Sequence, residues 1–146
     1  MWIYNKNIPE SNPYREPPFV CVTQISYLPR PLPWTPYPHI HENEYEVTFI
    51  MGGKGSLQLP GCVAELSRGA IASAPPAMAH YYLSERSDPL EYYVLRFSGN
   101  EGASPLLSAF EGCQAALAHT EKMDQIRQLF MVLMQMAEDG GGIIDR

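Results

Sequence analysis

Two stretches of the chain carry residues whose types and spacing could bind a metal ion or a polar ligand. His39 and His41 are two positions apart, Glu46 follows them, and His80 ends a later block, "GAIASAPPAMAH". Because alternate residues of a β-strand point to the same face, His39 and His41 can present both imidazoles to one interior. Two imidazoles alone are a weak signal, since two polar residues lining a cavity would show the same spacing.

Two kinds of chemistry fit a pocket formed by His39, His41, Glu46 and His80. Imidazole nitrogens and a carboxylate suit a divalent transition metal (Zn, Ni, Fe or Mn), with open positions left for water or substrate. Alternatively, Glu46 accepts a hydrogen bond from His41 or His80, and neutral imidazoles hold an organic ligand as donors and acceptors. The residues alone leave both interpretations open.

The region around these residues has the pattern of a β-protein. Short apolar or alternating runs are separated by Gly and Pro between Phe19 and Ser98, which favours a sandwich or barrel over a parallel α/β sheet. Pro60-Gly61 predicts a hairpin turn. The predicted strands are "FVCVTQISY", "YEVTFIM", "GSLQLP", "CVAEL", "AIASA", "MAHYYL" and "EYYVLRF".

Aromatic side chains in this region support a small-molecule pocket. Alternation predicts that about half of them point inward, but the strand register is needed to say which half. Arg96 either reaches an anionic ligand or lies on a solvated face. The candidate pocket-lining residues are Tyr37, Tyr82, Tyr93 and Arg96.

Two amphipathic helices are predicted after Gly99. The first, "SPLLSAFEGCQAALA", begins with the cap pair Ser104-Pro105, and the second begins at Thr120 and ends at a triple glycine. The second helix has apolar residues over an arc about twice the roughly 100° needed to cover one core. We therefore expect one edge to pack on its own domain and the other on a partner, although a groove in the same domain is the alternative. The predicted dimer interface consists of Leu129, Val132, Leu133 and Met136.

Composition limits the possible functions. The chain has 146 residues, of which 45% are hydrophobic and 18% charged, and this predicts one globular domain. No run approaches the roughly 20 apolar residues of a membrane helix, and the N-terminus lacks a signal-peptide pattern, so we expect a cytoplasmic protein without membrane contact. The net charge of −6 and the lack of a Lys or Arg cluster disfavour direct nucleic-acid binding. The three cysteines indicate neither a disulfide framework nor a zinc site.

The two histidine blocks resemble the two sequence motifs of the cupin superfamily. The first reads H-x-H-x4-E-x6-G from His39 to Gly53, and the second reads G-x5-P-x-A-x2-H from Gly69 to His80. The second block departs from the family pattern, with Ala77 in place of the usual Gly and Ser84 in place of a frequent Asn. The resemblance covers roughly residues 37 to 97. It implies a small jelly-roll barrel that gathers three histidines and one glutamate around a metal.

The flanking sequences resemble the N-terminal ligand-binding and dimerisation domain of AraC-type transcription regulators. The expected fold is mainly β, a cupin-like jelly-roll barrel followed by two C-terminal α-helices. The expected organisation is a Pro-rich arm (1–18), the barrel (19–98), a helical dimerisation element (99–139) and a linker (140–146) to a C-terminal domain absent from this chain.

The resemblance implies a homodimer that senses a small-molecule effector and contacts DNA only through the absent helix-turn-helix domain. The alternative is a free-standing metal-dependent cupin enzyme of dioxygenase or isomerase type. In that case the chemistry would belong to the metal, because the chain shows no phosphate-binding glycine loop and no nucleophile motif.

Overall fold

A computed structural model describes residues 20–30, 37–99 and 118–139 of the chain. These residues form eight β-strands and one α-helix. The strands are β1 (Val20–Leu28), β2 (Tyr45–Gly52), β3 (Lys54–Leu59), β4 (Cys62–Ser67), β5 (Ala70–Ala74), β6 (Tyr81–Ser84), β7 (Glu91–Gly99) and β8 (Ala118–His119), and the helix is α1 (Met123–Asp139).

The strands form two antiparallel sheets. The larger sheet has the order β1-β7-β2-β5-β8, and the smaller has the order β4-β3-β6. All seven strand runs predicted from the sequence correspond to β1 to β7. The predicted hairpin turn joins β3 and β4, and Gly61 takes the positive φ of 72° that such a turn favours in glycine.

The main core lies between the two sheets. Ile50 of the larger sheet and Leu57 of the smaller sheet are fully buried there. The inner face of β5 carries only alanines (Ala70, Ala72 and Ala74), so this strand leaves room for larger side chains opposite it. Burying one large aliphatic side chain contributes about 1.5–3 kcal/mol.

The helix packs on the outer face of the larger sheet. Met123 and Phe130 join Phe49 of β2 and Tyr93 of β7 in a second core cluster. The ring centroids of Tyr93 and Phe130 are 4.8 Å apart, with the rings nearly parallel. One apolar edge of the predicted helix is therefore confirmed as packing on its own domain.

The other apolar row of α1 is exposed to solvent. Leu129, Val132 and Met136 have exposed fractions of 63%, 56% and 44%. Leu133, predicted with them at a dimer interface, is half-buried against the core cluster beneath the helix. The exposed row is thus narrower than the sequence suggested.

The expectation of a closed barrel needs correction. Within the described ranges, no strand ladder joins the smaller sheet to the larger one, and the two sheets form an open sandwich. On the side where a closed barrel would continue into the smaller sheet, β5 pairs with β8 instead (Ala70 with His119, Ile71 with Ala118).

Of the two predicted C-terminal helices, the described part of the chain contains one, α1. Most of the first predicted helix lies outside the described residues, as do the arm and the linker, and its last residue, Ala118, belongs to β8. Thr120 lies before α1, and its hydroxyl accepts a hydrogen bond of 3.0 Å from the Lys122 N–H in a turn that precedes the helix. The first helical bond runs from the Ile126 N–H to the Lys122 carbonyl, which makes Lys122 the N-cap.

Gly53 ends the first histidine block, and its conformation explains why a glycine is needed there. Its φ is +80°, and a Cβ at this position would collide with the Pro89 carbonyl oxygen.

In the part of the chain that the structure covers, α1 lacks the length and apolar character of a membrane-spanning helix, and no other helix is present.

Candidate functional site

Backbone pairing brings the two histidine blocks together. His39 and His80 exchange two backbone hydrogen bonds, each of 3.0 Å, in an isolated antiparallel bridge. The Ala77 N–H also donates to the His41 carbonyl at 2.8 Å. Residues about forty positions apart therefore share one site because the segment before β2 runs along the segment before β6.

The four predicted ligands form one cluster on the inner side of the larger sheet. One potential ligand atom from each of the four residues lies within 4.8 Å of the others. The ring centroids of His39 and His80 are 4.4 Å apart. Glu46 and His80 are buried, with exposed fractions of 4% and 1%, whereas His39 and His41 are half-buried and line the solvent side.

Glu46 is the centre of a hydrogen-bond network. Its Oε2 lies 3.2 Å from His41 Nε2, and its Oε1 accepts a hydrogen bond of 2.9 Å from the Tyr82 hydroxyl. Thr48 Oγ1 lies 2.6 Å from the Tyr82 hydroxyl oxygen, and it donates because Tyr82 donates to Glu46. Burying a carboxylate is costly unless such donors surround it.

The network determines the charge state of the buried groups. Burial raises the pKa of Glu46, but the contacts from His41, His80 and Tyr82 outweigh burial and hold the pKa well below its usual range. Burial and then the Glu46 charge hold the pKa of Tyr82 well above its usual range. The site thus contains an ionised carboxylate next to a neutral phenol that donates to it.

The pKa shifts of His39 and His80 are opposite in sign. Burial and the neighbouring His80 lower the pKa of His39. Burial also lowers the pKa of His80, but the contacts with Glu46 and with the Met78 carbonyl outweigh it and raise the pKa. His80 Nε2 lies 3.4 Å from Glu46 Oε1, near enough for charge attraction but not aligned for a hydrogen bond.

Arg96 also reaches the cluster. It pairs with Glu46 in the ladder between β7 and β2, so both side chains lie on the inner face. Its Nη1 lies 3.0 Å from His41 Nδ1 and 3.3 Å from Glu44 Oε2. Arg96 therefore contacts the site instead of lying on a solvated face, and its contact with an anionic ligand stays a prediction.

The four candidate pocket-lining residues fall in different places. Tyr82 and Arg96 join the cluster, and Tyr37, which is 68% exposed, lies at its rim with its ring centroid 6.3 Å from that of His39. Tyr93 is not brought to the cluster. It lies three positions before Arg96, hence on the opposite face of β7, where it stacks on Phe130.

Sequence reasoning missed two members of the site, Thr48 and Glu44. Thr48 is fully buried and hydrogen-bonded to Tyr82, and Glu44 contacts Arg96. Both lie two positions from Glu46, so the period-2 alternation that paired the histidines could have found them as well.

The cluster could hold a metal ion. The Nδ1–H of His80 donates to the Met78 carbonyl at 2.9 Å, an arrangement that leaves Nε2 to bind a ligand. This buried Nε2 makes no hydrogen bond within the described residues. The spacing and the donor atoms therefore fit a divalent transition metal, and they suit Zn, Ni, Fe and Mn alike.

The fold and the cluster together define a mainly β, cupin-like binding domain. A family model described as the AraC-like ligand binding domain matches residues 32–142, which is most of the chain. The protein therefore belongs to the family of AraC-like ligand-binding domains, as the resemblance of its motifs and flanks implied.

Similar solved structures include a cupin protein from Bacteroides fragilis (21% identity, TM-score 0.42), with 57% of this chain and 67% of that chain covered. They also include a Cupin 2 conserved barrel domain protein from Salinispora arenicola CNS-205 (18% identity, TM-score 0.39), with 63% of this chain and 69% of that chain covered. A third is ToxT from Vibrio cholerae O395 bound to (E)-4-(8-methylnaphthalen-1-yl)but-3-enoic acid (12% identity, TM-score 0.48), with 84% of this chain and 49% of that chain covered. No curated protein sequence matches the chain.

Proposed function

We propose that this protein is the small-molecule-sensing and dimerisation domain of an AraC-type transcription regulator. The proposed effector site is the cluster of His39, His41, Glu46 and His80. The observation that carries the proposal is the buried Glu46 carboxylate among three imidazoles, inside the region that matches the ligand-binding family.

The groups around the cluster indicate the polarity of the effector. Glu46 accepts hydrogen bonds, and the neutral form of each imidazole has one nitrogen that accepts and one that donates. Such groups suit a polar ligand with hydroxyl or amino groups, which can replace hydrogen bonds to water with hydrogen bonds to the site.

The packing of α1 suggests how binding could be communicated. Glu46 and Arg96 lie on the inner faces of β2 and β7, while Phe49 and Tyr93 of the same strands contact the helix from the outer face. An effector that binds one arrangement of these strands better than another would bias the position of α1 and hence the geometry of a dimer. DNA binding through a separate helix-turn-helix domain and a cytoplasmic location are part of the same proposal.

A thermal-denaturation screen tests the effector site. The wild-type protein, Glu46→Gln and Glu65→Gln are screened against a metabolite library of polyols, amines and carboxylic acids. Glu65 is an exposed residue of β4 and provides the matched control substitution. We expect at least one compound to raise the midpoint temperature of the wild type and of Glu65→Gln but not of Glu46→Gln, because a ligand that binds only the folded state stabilises it.

Compounds that stabilise all three proteins equally would place the binding site elsewhere. A library without any stabilising compound would also count against an effector site of this polarity.

A second candidate function is that of a metal-dependent cupin enzyme. It is favoured by the spacing of the four ligand atoms and by the buried His80 Nε2. A metal held by His39, His41, Glu46 and His80 would supply Lewis-acid chemistry. Metal analysis of protein purified without a His-tag distinguishes the two functions: near-stoichiometric Fe, Mn, Ni or Zn favours the enzyme, and traces favour the sensor.

A further inference from the structure

The proton positions on the His41 ring depend on Arg96. A guanidinium group only donates hydrogen bonds, so His41 Nδ1, 3.0 Å from Arg96 Nη1, must accept. A neutral imidazole that accepts at Nδ1 carries its proton on Nε2. That Nε2–H then donates to Glu46 Oε2, 3.2 Å away.

Both neighbours of the ring therefore favour the same tautomer. Arg96 supplies a donor to Nδ1, and Glu46 supplies an acceptor to Nε2–H. Glu44 helps to hold Arg96 in this position, since its Oε2 lies 3.3 Å from Arg96 Nη1. The side chains of Arg96 and His41 are 23% and 16% exposed, so water has limited access to replace these contacts.

Metal binding would require the opposite arrangement. To bind an ion through Nε2, a neutral His41 must carry its proton on Nδ1, and this N–H would then face the N–H groups of Arg96. Glu44 Oε2 could not readily accept such a proton, because it lies 3.9 Å from His41 Nδ1, beyond hydrogen-bond distance, and is already paired with Arg96.

We propose that Arg96 keeps His41 out of a metal-ligand set by fixing its ring in the Nε2–H tautomer, so that the cluster favours a hydrogen-bonding organic ligand over a divalent metal. His39, Glu46 and His80 are then the groups left to meet that ligand. The inference rests on the proposed role of the cluster as an effector site, but its test requires no effector. Its failure is therefore distinguishable from a failure of the proposed function.

The first measurement is the tautomer itself. Long-range ¹H–¹⁵N correlation spectra of the wild-type protein distinguish a protonated ring nitrogen from an unprotonated one. At a pH where the ring is neutral, we expect His41 to show a protonated Nε2 and an unprotonated Nδ1. A protonated Nδ1 on His41 would overturn the proposal.

The second measurement is a double-mutant cycle with Zn²⁺ alone as the probe. Calorimetric titrations compare the wild type, His41→Ala, Arg96→Met and the double variant, and Arg30→Met serves as the control. Arg30 is also ion-paired, with Asp88 and Glu91, but outside the cluster. We expect Arg96→Met to bind Zn²⁺ about 10–100-fold more tightly than the wild type, the usual size of effects from groups behind a metal ligand.

The cycle separates proton placement from simple charge removal. If Arg96 acts through the tautomer, His41→Ala changes Zn²⁺ affinity little in the wild type but lowers it about tenfold or more in the Arg96→Met background. An equal effect of His41→Ala in both backgrounds would show that Arg96 acts only as a charge and would overturn the proposal. Equal affinities of the wild type and Arg96→Met, or no binding by either, would overturn it too.

Discussion

Within the site, Glu46 is the residue whose burial costs the most free energy, because it is a carboxylate with an exposed fraction of 4%. Such a group is tolerated only where donors surround it, and His41 and Tyr82 supply them here. Removing one partner would leave a buried charge unsatisfied. We therefore interpret the network around Glu46 as the element that keeps the site charged without an effector.

The lowered pKa of Glu46 predicts a pH-dependent contribution to stability. A carboxyl group whose folded-state pKa lies below the ordinary 4.5 stabilises the fold above that pH, and the contribution is lost as the pH falls through it towards the folded-state pKa. Below pH 6.5 the raised pKa of His80 adds no further change, so the difference in free energy of unfolding between the wild type and Glu46→Gln should shrink as the pH is lowered from 6.5 through 4.5. Urea denaturation at several pH values measures it. A difference that stays constant or widens over this pH range would contradict this assignment.

Ala77 occupies the position where cupins usually have glycine, and its backbone keeps the glycine-like conformation, with a φ of 58°. A left-handed conformation costs a residue with a Cβ about 1–2 kcal/mol, partly offset by the greater unfolded-state freedom of glycine. Ala77→Gly should therefore raise the free energy of unfolding by up to about 1 kcal/mol. Ala79→Gly, at a neighbouring position without a positive φ, is the control in urea denaturation and should destabilise. An equal decrease in the free energy of unfolding of both variants would contradict the prediction.

At the scale of elements, periodicity and turn residues predicted β1 to β7 because each strand is marked locally. Alternating apolar positions define the runs, and residues such as Gly53 and Gly61 end them. The inner or outer orientation of Tyr93 could not be predicted in this way. It depends on the pairing of β7 with β2, which joins residues more than forty positions apart.

The N-terminus of α1 was predicted two residues too early for a related reason. Thr120 has the composition of a cap, but its N–H donates to the Gly69 carbonyl, and its hydroxyl forms a turn with Lys122. This tertiary contact holds Thr120 outside the helix, so α1 begins later in the chain than its sequence predicts. Local propensity cannot include such a contact.

The exposed apolar row of α1 predicts a dimer contact. If Leu129 and Val132 bury their side chains against a partner, Leu129→Asp or Val132→Asp should convert a dimer to a monomer, because a carboxylate would have to be desolvated there. Sedimentation equilibrium measures the mass, and circular dichroism checks that the fold is retained. Leu133→Asp is unsuitable, since Leu133 also packs on its own domain.

Met131→Asp provides the matched control for the dimer prediction. Met131 is 55% exposed, but it lies on the other flank of the buried row of α1. We expect the wild type to be a dimer and the Met131→Asp variant to remain one. A monomeric wild type, or equal effects of Met131→Asp and Val132→Asp, would contradict it.

At the scale of the whole molecule, the larger sheet has two functional faces. Its inner face carries the cluster, and its outer face carries α1. The resemblance of the two sequence motifs to those of cupins implied which residues meet, and the structure places His39 and His80 side by side in a backbone bridge. They did not predict the open sandwich, because the pairing of β8 with β5 is a long-range contact without a local signal.

The four histidines of the chain allow one measurement to test the central claim. His39, His41 and His80 belong to the cluster, whereas His119 lies on exposed β8 with its ring hydrogen-bonded to the Arg68 carbonyl. Histidine ring ¹H–¹⁵N spectra are recorded with each compound that stabilises the wild type but not Glu46→Gln. The account predicts that the signals of His39 and His80 shift and that the signal of His119 does not. Unshifted cluster histidines in the presence of a bound compound would contradict the assignment of this cluster as the effector site.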